Sequence, residues 1–368
     1  MPDTPKKEQL YGLIRDNPYI AQQDLADALG LSRSAVAGHI ATLIRERRLL
    51  GRAYVLADRR PIVCIGAANL DRKLRSLAPL QMGTSNPASA DESFGGVGRN
   101  IAENLARLGA PVALMTAVGG DAAGAALLAH AASLGIDTGA TLKLPDACSG
   151  TYTAVLDGGG NMLVALADMG LYDALTPAWL ATGNTLRAQA AMVIADLNLP
   201  LDTIAALIDA AARALVPPVP LVIVAVSVPK MARLPQVLTG VRLLILNEGE
   251  LAARVQRELN TDADFASACR AVQDQGARDV VVTLGARGVF YTSPGGIVHL
   301  PASAAEPVDV TGAGDAFAAA VCFTLHAGGD LALACQRGLA LSRMTLACKE
   351  TVCPTLSPDT FNTPLLQD

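Results

Sequence analysis

The run Asp309-Val310-Thr311-Gly312-Ala313-Gly314-Asp315-Ala316-Phe317 holds the most concentrated chemistry in this chain. Three small residues, Gly312, Ala313 and Gly314, open an apolar stretch that reads as a helix from Ala316 to Leu325. Consecutive backbone N–H groups at such a start form an anion cradle, strengthened by the helix dipole. The segment has no lysine of the P-loop kind. Asp315 stands where its carboxylate can take a proton from an attacking hydroxyl. Phosphoryl transfer needs those parts: a nucleophile in line, a base that positions it, and donors for charge on the phosphate oxygens. An Asp that caps its own helix in a tight Gly turn would read the same way.

Other segments offer complementary parts. Pro61 to Gly66 is a short apolar run that reads as a buried strand, and Asn69 and Asp71 lie just past its end. Ligands of open α/β sheets sit outside the carboxyl ends of strands. An amide and a carboxylate there can hold sugar hydroxyls, or can equally cap a loop. Gly95, Gly96 and Gly98 precede a helix pattern with Asn100 just inside it, and their spacing is not that of a dinucleotide fingerprint. Asn247 and Glu250 follow the strand Leu243–Leu246 and can organise Mg²⁺ through water, or simply begin a helix. Val281 to Val289 reads as strand, glycine turn, strand. Its Thr283, Gly285 and Gly288 can meet a nucleotide, as could any such hairpin.

These parts need a scaffold. Half of the 368 residues are hydrophobic (51%) but only 4% are aromatic, so the core must be aliphatic. That composition suits helices on a buried parallel sheet. Strand-like and helix-like runs alternate from Val112 to Thr283, as a largely parallel α/β domain requires. Thr151–Asp157, a Gly-rich turn and Met162–Ala165 instead read as a hairpin, a candidate lid. The seven cysteines show no CxxC spacing and read as reduced, mostly buried thiols of a cytoplasmic protein, and a zinc site is not expected. The most apolar stretch, Leu221–Val228, reads as a strand, since a membrane helix takes about 20 residues.

The first sixty residues differ. They carry ten Lys/Arg against seven Asp/Glu, in a chain of net charge -5. Helix patterns span Glu8 to Arg15, Gln22 to Leu29 with Gly30 as C-cap, and Ser32 to about Arg48. Helix, tight turn, helix is the helix-turn-helix pattern. Leu49–Leu56 would add a wing. On the third helix Arg33, Ser34 and His39 can approach DNA bases or phosphates, and Arg45, Arg47, Arg48 and Arg52 can hold phosphates. A packing or dimerisation module with solvated arginines is the alternative.

Taken in order, the segments from 61 to about 360 resemble the ribokinase (PfkB) family of carbohydrate kinases. Gly95, Gly96, Gly98, Asn100, Ala102, Gly109 and Gly119 match one signature, Asp309 to Asp315 a second, and Asn247 with Glu250 the family's Asn-x-x-Glu element. The resemblance implies a ribokinase-like three-layer α/β/α sandwich over 61–368 with a small β lid near 70–95 and 150–168. A winged helix-turn-helix domain over 1–58 would precede it. It also implies ATP, Mg²⁺ and a K⁺ ion near Asp309 and Thr311, with Asp315 as base and Gly312, Ala313 and Gly314 as anion hole. Within the family the chain is most similar to pseudouridine kinases. That implies a nucleoside held by Asn69, Asp71, Ser85, Asn86, Gly95, Gly96, Asn100 and Asp168, with help from Lys230. A homodimer is expected because paired helix-turn-helix units read two half-sites. Two rival readings are a kinase of another sugar or nucleoside, and a ligand-sensing transcription regulator on a kinase fold. The chain departs from the family pattern at Arg72-Lys73, where small or apolar residues are usual, and at Val224-Ala225, where pseudouridine kinases have Asp-Pro.

Overall fold

The computed structural model describes residues 5–17, 20–50, 60–213 and 219–362. Two compact units emerge, Met1–Pro61 and Ile62–Asp368. In the first, α1 (Lys6–Asp16), α2 (Gln22–Leu29) and α3 (Arg33–Arg45) bury Leu10, Ile14, Leu25, Leu29, Val36, Ile40 and Leu43 together. Gly30 closes α2 in a left-handed conformation (φ 63°), and the Ser32 hydroxyl caps α3 by accepting from Ala35 N at 3.1 Å. The third helix ends at Arg45, short of the expected Arg48. The chain turns there, and the Arg48 guanidinium is instead bound by both Glu8 oxygens at 2.6 and 2.8 Å and lies over the Tyr11 ring. Arg48 is thus committed within its own unit. The expected wing and Arg52 fall mostly on 51–59, outside the described residues.

The second unit begins with β1 (Ile62–Ile65), β2 (Asn69–Ser76), β3 (Ala88–Gly95), α4 (Val97–Arg107), β4 (Val112–Met115), β5 (Ala117–Gly119) and α5 (Ala122–Ser133). There follow β6 (Leu142–Leu144), β7 (Thr151–Leu156), β8 (Met162–Asp168), α6 (Pro177–Thr182), α7 (Asn184–Ala188), β9 (Met192–Asp196), α8 (Leu201–Ala212) and β10 (Leu221–Val224). The last part holds β11 (Val241–Asn247), α9 (Glu248–Val255), α10 (Asp262–Asp274), β12 (Asp279–Thr283), β13 (Val289–Ser293), β14 (Gly296–Leu300), α11 (Ala313–His326), α12 (Leu331–Leu346) and α13 (Pro358–Asn362).

Eight strands form the main sheet in the order β14-β13-β12-β11-β10-β9-β1-β4, parallel from β4 to β12 and antiparallel at β13 and β14. Alternation along each strand feeds two cores. Val63 and Ile65 of β1, with Val193 and Ala195 of β9, pack against α6, α8, α9 and α10. Ile62, Cys64, Met192 and Ile194 pack the other way, against α4, α5, α11 and α12. This is a helix–sheet–helix sandwich, and its inner strands are buried on both faces, hence their unbroken apolar sequence. The strand after Pro220 stops at Val224, four residues before the apolar run does, because Val228 to Arg233 winds into a 3-10 turn.

A second sheet, β3-β2-β7-β8, leaves the sandwich just after β1. Its outer strands β3 and β8 are exposed along most of their length. It is the small β lid of the fold.

Candidate active site

At the carboxyl end of β9, the Asp196 carboxylate is buried and receives three backbone N–H groups: Ala67 at 2.9 Å, Gly98 at 2.8 Å and Asn198 at 2.8 Å. It therefore ties the loop after β1 to the start of α4. Gly66 is needed there because a Cβ would fall 2.1 Å from the Asp196 oxygen. The Tyr172 hydroxyl fixes the same loop by donating to Ala68 O at 2.5 Å. Sequence reading did not single out Asp196 as a site residue. Its signals were its place at the end of a buried apolar strand and the likeness of Ala195-Asp196-Leu197-Asn198 to pseudouridine kinases.

On this frame the candidates converge. Asn69 pairs with Gly95 across β2 and β3, and its amide donates to Asp71 Oδ1 at 2.5 Å. A side chain at Gly95 would strike the Asp71 carboxylate, and one at Gly96 (φ 97°) would strike Ala67 O, so both glycines exist to let these groups close. Burial raises the Asp71 pKa to about 6, against the Asn69 hydrogen bond and the charges of Lys73 and Arg99.

Asn100 projects from the first turns of α4 toward α11. Arg99 Nη1 donates to Asn100 Oδ1 at 2.7 Å, which turns the Asn100 NH₂ outward, and that NH₂ donates to Asp315 Oδ2 at 2.7 Å. Arg99 itself is held by Phe94 O and by the buried carboxylate of Glu103. Burial lifts the Asp315 pKa to about 7. The Asn100 hydrogen bond works against this, and the negative charges of Asp196 and Asp71 reinforce it. A carboxylate poised near neutrality is suited to accept a proton from a hydroxyl.

Asp315 lies in the first turn of α11, directly after the glycines of the cradle. Gly312 (φ 81°) packs on the Thr351 carbonyl, where a Cβ would stand 1.9 Å away. Gly314 faces open space, with nothing within 4 Å of a Cβ position. The Ser342 hydroxyl braces the turn by donating to Ala313 O at 2.7 Å. Just before it, Asp309 Oδ1 accepts from Thr311 N at 2.9 Å and Thr311 Oγ1 at 2.7 Å, while Asp309 Oδ2 is ion-paired with Lys73. Burial alone would raise the Asp309 pKa, but Lys73 and Thr311 hold it below the usual carboxylate value. This donor set does not fit a K⁺ ion on Asp309: a tethered ammonium already stands there.

The nucleotide candidates assemble on neighbouring strands. Asn247 and Thr283 are register partners at the ends of β11 and β12, with Gly285 and Gly288 in the turn beyond. Gly288 is shaped by packing, since a Cβ there would meet Leu300 O at 2.1 Å, whereas Gly285 faces open space. Asn247 and Glu250 form a reciprocal capping box: Asn247 Oδ1 accepts from Glu250 N at 2.9 Å and Glu250 Oε2 from Asn247 N at 2.7 Å. Burial raises the Glu250 pKa. Among the described residues no three His, Cys, Asp or Glu side chains converge to hold a metal. A Mg²⁺ in this region fits only as an ion held by nucleotide phosphates and water.

Among the described residues, four expected substrate residues make no side-chain hydrogen bond to this cluster. Ser85 and Asn86 sit in the loop joining β2 and β3, and the Asn86 amide is occupied there by Gln81 N, Gln81 O and Thr84 O. Asp168 ends the exposed strand β8, in register with Thr151. Lys230 lies in the 3-10 turn after β10, its pKa lowered by burial and by Arg233.

Comparison with known proteins accords with this geometry. The profile of the pfkB family carbohydrate kinases matches residues 59–357, and a winged helix-turn-helix DNA-binding profile matches 4–47. This chain belongs to the pfkB family of carbohydrate kinases, phosphotransferases acting on hydroxyl acceptors, with a winged helix-turn-helix unit at its N-terminus. Within that family it is a sugar or nucleoside kinase, and membership implies ATP as the phosphoryl source. An uncharacterized sugar kinase of Escherichia coli, YeiI, is 30% identical over 96% of this chain and 97% of its own length, so it shares both units. The pseudouridine kinase of E. coli is 32% identical over 80% of this chain and 93% of its own. The fold is ribokinase-like: a ribokinase from Arabidopsis thaliana superposes with a TM-score of 0.70, at 20% identity, over 82% of this chain and 97% of that one. Among the described residues no helix is long and apolar enough to cross a membrane.

Proposed function

We propose that the chain phosphorylates the 5′-hydroxyl of pseudouridine. The observation that carries the chemistry is Asp315, held by Asn100 beside the open Gly314 and within the electrostatic reach of Asp71. The substrate rests on similarity to a pseudouridine kinase. In this reading Asn69, Asp71, Gly95, Gly96 and Asn100 hold the ribose. The lid closes over it and excludes water. Asp315 takes the hydroxyl proton while the oxygen attacks the γ-phosphorus of ATP. The amides of Gly312, Ala313 and Gly314 take up charge on the transferred group. Asn247, Thr283, Gly285 and Gly288 line the nucleotide side. A Mg²⁺ ion bound with the nucleotide would supply positive charge at the phosphates, and Glu250 would act on it through water. The test is ADP release from Mg²⁺-ATP across a panel of nucleosides and sugars. Pseudouridine is expected to give a kcat/KM at least about tenfold above any other member, since one buried polar group left unsatisfied costs about 1–3 kcal/mol. A higher value for ribose, adenosine or a fructose phosphate overturns the substrate.

The N-terminal unit adds a second role, DNA binding as a dimer. Arg33 and Ser34 are exposed at the start of α3, and His39 is half-buried further along. If Arg33 holds a phosphate, Arg33→Ala lowers the slope of log K against log salt by about 1 on any duplex. The measurement uses a fragment from upstream of the protein's own gene, titrated at several salt concentrations. An unchanged slope removes Arg33 from the interface.

A further inference from the structure

Asp309 stands beside the amides of the cradle. An uncompensated carboxylate there repels the anion those amides attract. In this chain the compensation comes from within. Thr311 takes one Asp309 oxygen and the Lys73 ammonium takes the other, with side chains only 25% and 22% exposed. Lys73 arrives from β2, 236 residues earlier in the chain. Asn69, Asp71 and Lys73 alternate along that strand, so all three share one face of the lid. Arg72 points the other way, to Glu92 on β3 at 2.7 Å. Lys73 and Asp309 both act on the charge of Asp71, so ammonium, cradle loop and ribose-side carboxylate form one electrostatic cluster.

We infer that Lys73 is a built-in cation of the cradle loop, a positioning residue that replaces a bound monovalent ion and makes turnover independent of potassium. The inference rests on the phosphoryl-transfer reading of Asp315. It follows from a mismatch: the Asp309 carboxylate, which could hold such an ion, is already neutralised by a side chain. A dissolved ion exchanges with the buffer, whereas a tethered ammonium does not. Its arrival on a lid strand also links the state of the lid to the order of the loop before α11.

The test compares the full chain with Lys73→Ala and Lys73→Arg, in tetramethylammonium chloride and in KCl at equal ionic strength. ADP release from Mg²⁺-ATP and pseudouridine gives one readout, and thermal unfolding without substrate gives another. The wild type and Lys73→Arg are expected to change by less than about twofold in rate between the two salts. Lys73→Ala is expected to lose about tenfold or more in tetramethylammonium and to regain most of it in K⁺ but not in Li⁺. The melting temperature of Lys73→Ala, alone of the three, should rise specifically with K⁺. A merely structural lysine would cost the same in every salt. The inference falls if the wild type needs K⁺ for turnover, or if K⁺ fails to shift the melting of Lys73→Ala. The melting readout stands even if pseudouridine proves the wrong substrate.

Discussion

Asp315→Asn is expected to lose about 10²–10⁴-fold in kcat, the range for removing a positioned acid–base group, with ATP affinity unchanged. The substitution keeps shape and keeps an oxygen to accept from the Asn100 NH₂, so the packing of α4 on α11 survives. Only proton acceptance is lost. The wild-type pH profile is the companion measurement. With the Asp315 pKa pushed up to about 7, the base is protonated and idle in acid. On a log scale kcat/KM should rise with unit slope up to about pH 7 and then level, with the bend absent from the Asn variant. Stability runs the other way. The folded chain keeps a proton on Asp315 that the unfolded chain, at the ordinary carboxylate value of 3.8, has already released. Folding stability therefore falls as pH rises from about 4 to about 7. Asparagine mimics the neutral acid at every pH, so the variant should melt higher than the wild type at pH 8 and equally at pH 4. A variant that keeps near-normal turnover, or a flat wild-type profile from pH 5 to 8, removes Asp315 from the role of base.

The parts legible in the sequence were those in which a local run forces a local structure. Gly312 to Gly314 opened a helix, and Gly96 and Gly98 marked the start of another, Gly96 at its cap and Gly98 in its first turn, because only glycine tolerates the close approaches of Ala67 O, Gly66 and Thr351 O. Buried strands could be read from unbroken apolar runs. Ambiguity persisted wherever two uses share the same residue types. Asn-x-x-Glu serves a metal-linked site and a capping box equally well, and the structure shows the box. Asn86 carries the same donors whether it faces a ligand or, as here, its own loop. Contacts across long separations were out of reach. Nothing near Glu8 marks it as the partner of Arg48, and nothing near Lys73 marks Asp309. In sequence Lys73 was a departure from a family pattern, and only the register of β2 turned that departure into a charge placed beside the cradle.

Two glycines of the cradle should separate fold from chemistry. Gly312 has φ 81°, and a Cβ there would stand 1.9 Å from the Thr351 carbonyl oxygen. A left-handed alanine costs about 1–3 kcal/mol by itself. The clash adds to that, because the opposing atom is backbone and cannot rotate away. Thr351 cannot yield freely either: its hydroxyl donates to Phe94 O at 2.8 Å and so holds the entry to α4. Gly312→Ala is therefore expected to lower the melting temperature by several degrees and to take activity with it. Gly314 lies within α11 and has nothing within 4 Å of its Cβ position. At a backbone position that alanine adopts without strain, Gly→Ala stabilises by about 0.4–1 kcal/mol through the unfolded chain, so Gly314→Ala should melt at or above the wild-type temperature. On the phosphoryl-transfer proposal, however, the new methyl would occupy the space a phosphate enters to reach the amides. Loss of one such donor costs about 10²–10³-fold in kcat, and Gly314→Ala should fall in that range. Melting curves and single-turnover rates on the two variants decide the matter. A Gly314→Ala enzyme that stays within about twofold of the wild-type rate would mean that the transferred phosphoryl group does not pass over these amides, whatever the fold of the loop.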